Sequence, residues 1–167
     1  TFAILGYKFY HFSDQQNGML FGITGLVGAL VQAVFIRTLS QKLSDKTIVL
    51  IGIFFMMIGL GFLPYGGNFS GVAIVISIMA VGSGILQPII PSMISKYAPD
   101  NQQGATLGFS QSVSAFARVL GPLWGGFSYH FLGYQFPFLT GAFFTMIALI
   151  VSFIMLKSHK IKDIQNV

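Results

Sequence analysis

The chain has 167 residues, of which 54% are hydrophobic and only 8% charged. A soluble domain carries about a quarter charged residues, so this composition cannot build a water-facing surface, and most of the surface must face lipid. The formal net charge is +5 and there is no cysteine. That excludes a disulfide framework, a zinc finger and a thiol nucleophile, and the placement of the basic residues matters more than their sum.

The chain opens at Thr1 inside an apolar stretch. It has no basic region followed by a cleavage site, so the stretch is not a signal peptide. Residues 1–9 are too short to cross a bilayer, which takes roughly 20 apolar residues. They are expected to be the tail of a helix that begins upstream, which would make the chain part of a longer protein. Five apolar segments follow, at 17–36, 47–64, 71–94, 105–129 and 136–156, and Arg118 is the sole charge inside them. Backbone in hydrocarbon must satisfy its own hydrogen bonds, so each segment is expected to be a helix. None shows the apolar/polar alternation of a barrel strand. The connections are short and carry turn residues, as in Pro64-Tyr65-Gly66-Gly67-Asn68 and Ala98-Pro99-Asp100-Asn101. The expected architecture is all-α: one transmembrane bundle over residues 1–157 and a tail at 158–167.

The charges alternate between the two sides of this bundle. One side receives Arg37, Lys42, Lys46, Lys96, Lys157, Lys160 and Lys162, and the other receives only Lys8. The positive-inside rule puts the basic side, and the C-terminus, in the cytoplasm. The spans also differ in character. Spans two and five are almost wholly Ile, Leu, Phe and Met, as expected of helices that face lipid, while spans one and four are rich in small residues that let backbones approach. The starts of spans one and four are 88 residues apart, and those of spans two and five 89. With three spans between mates, the copies run in opposite directions, and an inverted triplet repeat is characteristic of secondary transporters.

Span four carries one stripe of Gly104, Gly108, Gln111, Ala115, Arg118, Pro122 and Gly125, with Ser114 beside it. A charge at the centre of a membrane helix costs about 2.5–3.5 kcal/mol or more, which marks Arg118 as a functional candidate. Arg118 either lines a substrate or coupling path or clamps helix carbonyls as a structural element. No acidic residue lies inside any span to pair with it. Gly121, Pro122 and Gly125 then form either a gating bend or a fixed packing kink. In span three, Gly84, Gln87, Pro88 and Pro91 share a sector. Either the helix breaks there and turns Gln87 towards a cavity, or it is kinked for packing. Span one places Gly18, Gly22 and Gly25 on one stripe, expected to make tight helix contact, and Gln32 further along it faces a cavity or a neighbouring helix. His11, His130 and His159 lie outside the spans with no metal-ligand or triad spacing. No phosphate-binding or hydrolase motif is present, so no enzyme, metal or cofactor role is supported, and nothing suggests nucleic-acid binding.

Three runs together resemble the major facilitator superfamily, in its drug:proton antiporter branch. The loop Ile36-Arg37-Thr38-Leu39-Ser40-Gln41-Lys42-Leu43-Ser44-Asp45-Lys46 is similar to the degenerate second copy of that family's signature loop, with Arg37, Lys42, Asp45 and Lys46 its charged positions and Ser44 where a glycine is usual. Gly82-Ser83-Gly84-Ile85-Leu86-Gln87-Pro88 resembles its tenth helix. Gln102-Gln103-Gly104-Ala105-Thr106-Leu107-Gly108, Gln111-Ser112 and Ala117-Arg118-Val119-Leu120-Gly121-Pro122-Leu123-Trp124-Gly125-Gly126 resemble its eleventh. The resemblance implies the C-terminal six-helix half of a twelve-helix transporter: five full spans plus the end of a sixth. It implies that spans three and four line the cavity while spans two and five face lipid. The expected function is proton-coupled efflux of small amphipathic or drug-like molecules across the cell membrane. Partners would be the bilayer, a small-molecule substrate, protons and the N-terminal half. Gln87, Gln111, Ser114, Arg118 and Gln32 are the path candidates. The alternatives are a nutrient importer of the same fold and a non-transporting membrane scaffold.

Overall fold

The computed structural model describes residues 5–7 and 9–165, with no side-chain description at Phe35, Arg37 or 156–165. Lys8, and the side chains of Arg37, Lys157, Lys160 and Lys162, thus lie outside the described residues. Five long helices follow one another: α1 Asp14–Lys42, α2 Asp45–Phe62, α3 Phe69–Tyr97, α4 Gln103–Phe131 and α5 Phe136–Gln165. The expected spans 17–36, 71–94, 105–129 and 136–156 each lie within one of them, and 47–64 runs from α2 into a 3-10 turn at Leu63–Tyr65.

Local chemistry sets the starts. Ser13 caps α1 in a reciprocal box with Gln16: the Gln16 N–H donates to Ser13 Oγ at 3.2 Å and the Ser13 N–H donates to Gln16 Oε1 at 2.9 Å. Ser44 Oγ accepts from the Thr47 N–H at 3.3 Å to start α2, and Asn68 Oδ1 accepts from the Gly71 N–H at 2.8 Å to start α3. Gly67 sits at φ +71 in the turn before α3, a conformation a β-carbon would strain.

Among the described residues four helices are long and apolar enough to cross a membrane: Asp14–Lys42, Asp45–Tyr65, Phe69–Tyr97 and Phe136–Met155. The fifth expected span lies in α4. At 29 residues it is long enough, about 44 Å at 1.5 Å per residue. Its mean hydropathy falls short of the other four because Ser110, Gln111, Ser112, Ser114 and Arg118 follow one another in two turns. The α5 helix continues through Gln165, into the segment expected to be a tail.

The connections gather at two ends. At one end Leu5, Phe12, Leu20, Leu63, Val72 and Phe138 form a buried cluster. Beside it the Tyr10 hydroxyl donates to the Leu63 carbonyl and accepts from the Gly66 N–H, both at 3.0 Å, and Phe9 stacks on Tyr134. Towards the other end Val31, Ile48, Ile85 and Ile89 form a second cluster. There Lys96, at the close of α3, pairs with Asp45, at the start of α2, at 3.0 Å. Lys42, Lys46 and Lys96 share this end, so the packing groups the loops as the charge alternation does.

The glycines that bring the helices together are on α2 and α3. A methyl at Gly82 would lie 2.6 Å from the Met56 nitrogen and 2.7 Å from the Gly52 oxygen. One at Gly59 would lie 2.8 Å from the Met79 Cα. On the opposite face of this pair, a methyl at Gly84 would lie 3.2 Å from the Gly28 oxygen and from Val31 Cβ, so α1 crosses α3 there. The stripe Gly18, Gly22 and Gly25 was expected to make tight contact. It makes none among the described residues, because nothing lies within 4 Å of a methyl at any of them. The α2 helix, expected to be a lipid-facing wall, sits between α3 and α5. Its glycines explain this: an otherwise oily helix carries Gly52 and Gly59 on the face that meets α3.

Candidate functional site

α4 stands apart from the other four helices. It touches only α3 and α5 to any extent, and within it only Gly125 and Ser128 are buried. One tie holds it to α5: the Trp124 indole N–H donates to Thr140 Oγ at 3.1 Å. Ser128 Oγ donates back to the Trp124 carbonyl at 2.7 Å, which occupies its hydroxyl inside its own helix. Next to the tie, a groove of about 550 Å³ runs between α4 and α5, lined by Ala117, Leu120, Gly121, Gly125, Phe138 and Phe144 among others.

The path candidates on α4 lie on its open surface. Gln111 and Arg118 are exposed and make no side-chain hydrogen bond or ion pair among the described residues. Ser114 is half-buried and donates to the Ser110 carbonyl at 2.9 Å, so its hydroxyl is satisfied locally. Pro122 lies within a continuous helix. Its missing N–H frees the carbonyl of residue i−4, which is Arg118. Gly121 is open, with nothing within 4 Å of an added methyl. The helix therefore presents a guanidinium and a free carbonyl from one residue.

The break considered at Pro88 is not there. α3 runs unbroken from Phe69 to Tyr97 with Pro88 and Pro91 inside it. The prolines free the carbonyls of Gly84 and Gln87 without ending the helix. Gln87 and Pro88 are exposed, while Gly84 is buried against α1. Gln32 is exposed on α1, next to Val31, which meets Gly84. Gln32 and Gln87 therefore sit near a single helix crossing, whereas Gln111, Ser114 and Arg118 belong to a separate helix. No described cavity is lined by any of the five.

Two features had no signal in the sequence. Residues Val31–Phe35 form a π-helical turn inside α1, with Gln32 in it. Such turns insert one extra residue, rotate everything beyond them, and are frequent at functional positions. Asn17 is buried at the start of α1 against Gly6, and its Oδ1 has no hydrogen-bond partner among the described residues. Of the loop-motif residues, Asp45 pairs with Lys96, while Lys42 and Lys46 make no ion pair among the described residues. There is also no cluster of His, Cys, Asp or Glu able to hold a metal among those residues.

Residues 2–166 match the family model described as Major Facilitator Superfamily. The chain belongs to the major facilitator superfamily. It is 26% identical over 150 residues to the class H tetracycline resistance protein of Pasteurella multocida, covering 90% of this chain and 36% of that protein. It is 24% identical over 144 residues to the human major facilitator superfamily domain-containing protein 10, covering 84% of this chain and 30% of the relative. With the bovine hippocampus abundant transcript-like protein 1 it shares 29% identity over 119 residues, which is 71% of this chain and 24% of the other. The chain thus spans a quarter to a third or so of the curated relatives it matches. As a major facilitator chain it is an integral membrane protein of a transporter family, which accounts for the apolar helices.

Proposed function

We propose that this chain forms the C-terminal bundle of a major facilitator exporter, which moves small amphipathic or drug-like molecules out of the cell in exchange for protons. One observation carries the reading. α4 is the most polar of five membrane-length helices and leaves its stripe of Gln111 and Arg118 uncovered by the rest of the chain. A guanidinium facing lipid would be costly, so this face turns to a water-filled cavity and to the other half of the transporter. α1, with its uncovered Gly18, Gly22 and Gly25, completes that inner face. The basic end, with Lys42, Lys46 and Lys96, is cytoplasmic, and so is the C-terminus.

In this reading Arg118 is the polar anchor of the path. It holds an anionic group of the substrate or a coupling carboxylate from the other half, and the Pro122 bend lets α4 flex as access alternates. Gln87 and Gln32, near the α1–α3 crossing, supply neutral hydrogen-bond partners suited to amphipathic cargo. A tetracycline resistance protein among the relatives supports a drug-like substrate and outward movement. The test is transport of a panel of lipophilic dyes into inverted vesicles under an imposed proton gradient. Arg118→Ala should abolish accumulation at unchanged expression, with Arg118→Lys retaining part of it. Unchanged transport by Arg118→Ala would remove the role given to Arg118, and accumulation in the opposite direction would make the protein an importer.

A further inference from the structure

A second groove, of about 440 Å³, lies between α2 and α5 and plays no part in the transport reading. Its walls are Leu50, Ile51 and Phe54 from α2, and Leu149, Ile150 and Phe153 from α5, with Thr47 at its mouth. From Thr47 to Phe54 it runs about 10 Å along α2, at 1.5 Å per residue. It opens sideways: Phe54, Ile150 and Phe153 are all exposed. Its volume over that length suits a single hydrocarbon chain.

Lys46 directly precedes Thr47 of the groove. Asp45 and Lys46 both lie in the first turn of α2, but Asp45 is engaged by Lys96 of α3 at 3.0 Å. That leaves Lys46 with no acidic partner among the described residues. Basic residues between membrane helices at the cytoplasmic surface recruit anionic head groups. We propose that the α2–α5 groove holds one acyl chain of an anionic phospholipid from the leaflet at the Asp45–Lys96 end, with Lys46 receiving its phosphate.

The proposal needs only that α2 and α5 cross the bilayer, so it stands or falls apart from the transport reading. The test uses the intact protein in phosphatidylcholine bilayers with a trace of phosphatidylglycerol bearing a diazirine on one acyl chain. After irradiation, adducts should concentrate on residues 47–54 and 149–153. A phosphatidylcholine probe of the same chain should label the groove about fivefold less, the factor expected from one lysine near an anionic head group. Lys46→Gln, a surface change that leaves the fold intact, should erase that difference. Ile150→Trp, which fills the groove, should lower labelling by both probes. Equal labelling by the two probes, or no response to Lys46→Gln, overturns the proposal. So does an unlabelled groove, as a second copy or another protein seated there would produce.

Discussion

Replacing Gly82 by alanine tests whether α2 and α3 are held at backbone contact. The new methyl would sit 2.6 Å from the Met56 nitrogen and 2.7 Å from the Gly52 oxygen, roughly 0.8 Å inside a normal contact distance of about 3.5 Å. Both neighbours are backbone atoms, so no side chain can swing away and the helices must part. Overpacking of this kind costs about 1–3 kcal/mol. Alanine also gains about 1 kcal/mol of helix propensity over glycine, which would blur a single measurement. Gly141→Ala on α5 removes that ambiguity. Its methyl would lie 3.5 Å from Leu60 Cδ1, an ordinary contact, and it carries the same propensity gain. The difference between the two variants therefore isolates the clash and should be about 1–3 kcal/mol, with Gly82→Ala the less stable. Unfolding by sodium dodecyl sulfate from mild detergent micelles, followed by circular dichroism, measures it. A difference below about 0.5 kcal/mol, the scatter of ordinary surface substitutions, would refute the close crossing.

Trp124 is the single tryptophan of these residues, so once any tryptophan elsewhere in the protein is replaced, the fluorescence reports on the Trp124–Thr140 tie. Thr140→Val should shift its emission to shorter wavelength and lower stability by about 0.5–1.5 kcal/mol, the net worth of one hydrogen bond; an unchanged spectrum would place the indole elsewhere. The Asp45–Lys96 pair is exposed, so Lys96→Asp should lower the melting temperature only modestly. The exchanged pair Asp45→Lys with Lys96→Asp should recover most of that loss, and both effects should shrink in high salt. Equal melting of the single and exchanged variants at low salt would contradict the pairing. Gly59→Ala, which meets the Met79 backbone, should destabilise more than Gly52→Ala, which meets mainly the movable Leu86 side chain; melting curves of the two in one detergent rank them, and the reverse order would contradict the crossing.

The helices were legible because each is set by local chemistry. Ser13, Ser44 and Asn68 cap helices whose apolar runs are visible residue by residue, and the short loops leave little freedom in how the runs connect. Which glycines mark the crossings was not legible. Gly18, Gly22 and Gly25 have the spacing of a contact motif and make no contact among the described residues, while Gly52 and Gly59, in a run that reads as uniformly oily, meet α3 closely, as Gly82 of α3 meets α2. A helix sequence shows where a backbone could approach, but the partner's position decides where it does. At Pro88 a break and a packing kink were both open, because a proline removes one hydrogen bond whatever its setting; the helix runs through it from Phe69 to Tyr97. The π turn at Val31–Phe35 has no compositional mark, and its first residue, Val31, meets Gly84 of α3. Among the candidate polar residues, the isolation of Arg118 was visible in the sequence. The separation of Gln32 and Gln87 from the α4 stripe emerged only from the packing.

The central claim is that the open face of α4 lines a water-filled path rather than facing lipid. These residues include no cysteine, so once any cysteine elsewhere in the intact protein is replaced, single substitutions at Gln111 and at Phe153 can be compared directly in membrane vesicles. The account predicts that Gln111→Cys reacts with a charged, membrane-impermeant thiol reagent, that a transported substrate changes its rate, and that Phe153→Cys stays unreactive. If Gln111→Cys is as inert as Phe153→Cys in every state of the protein, the face is not wet and the account is wrong.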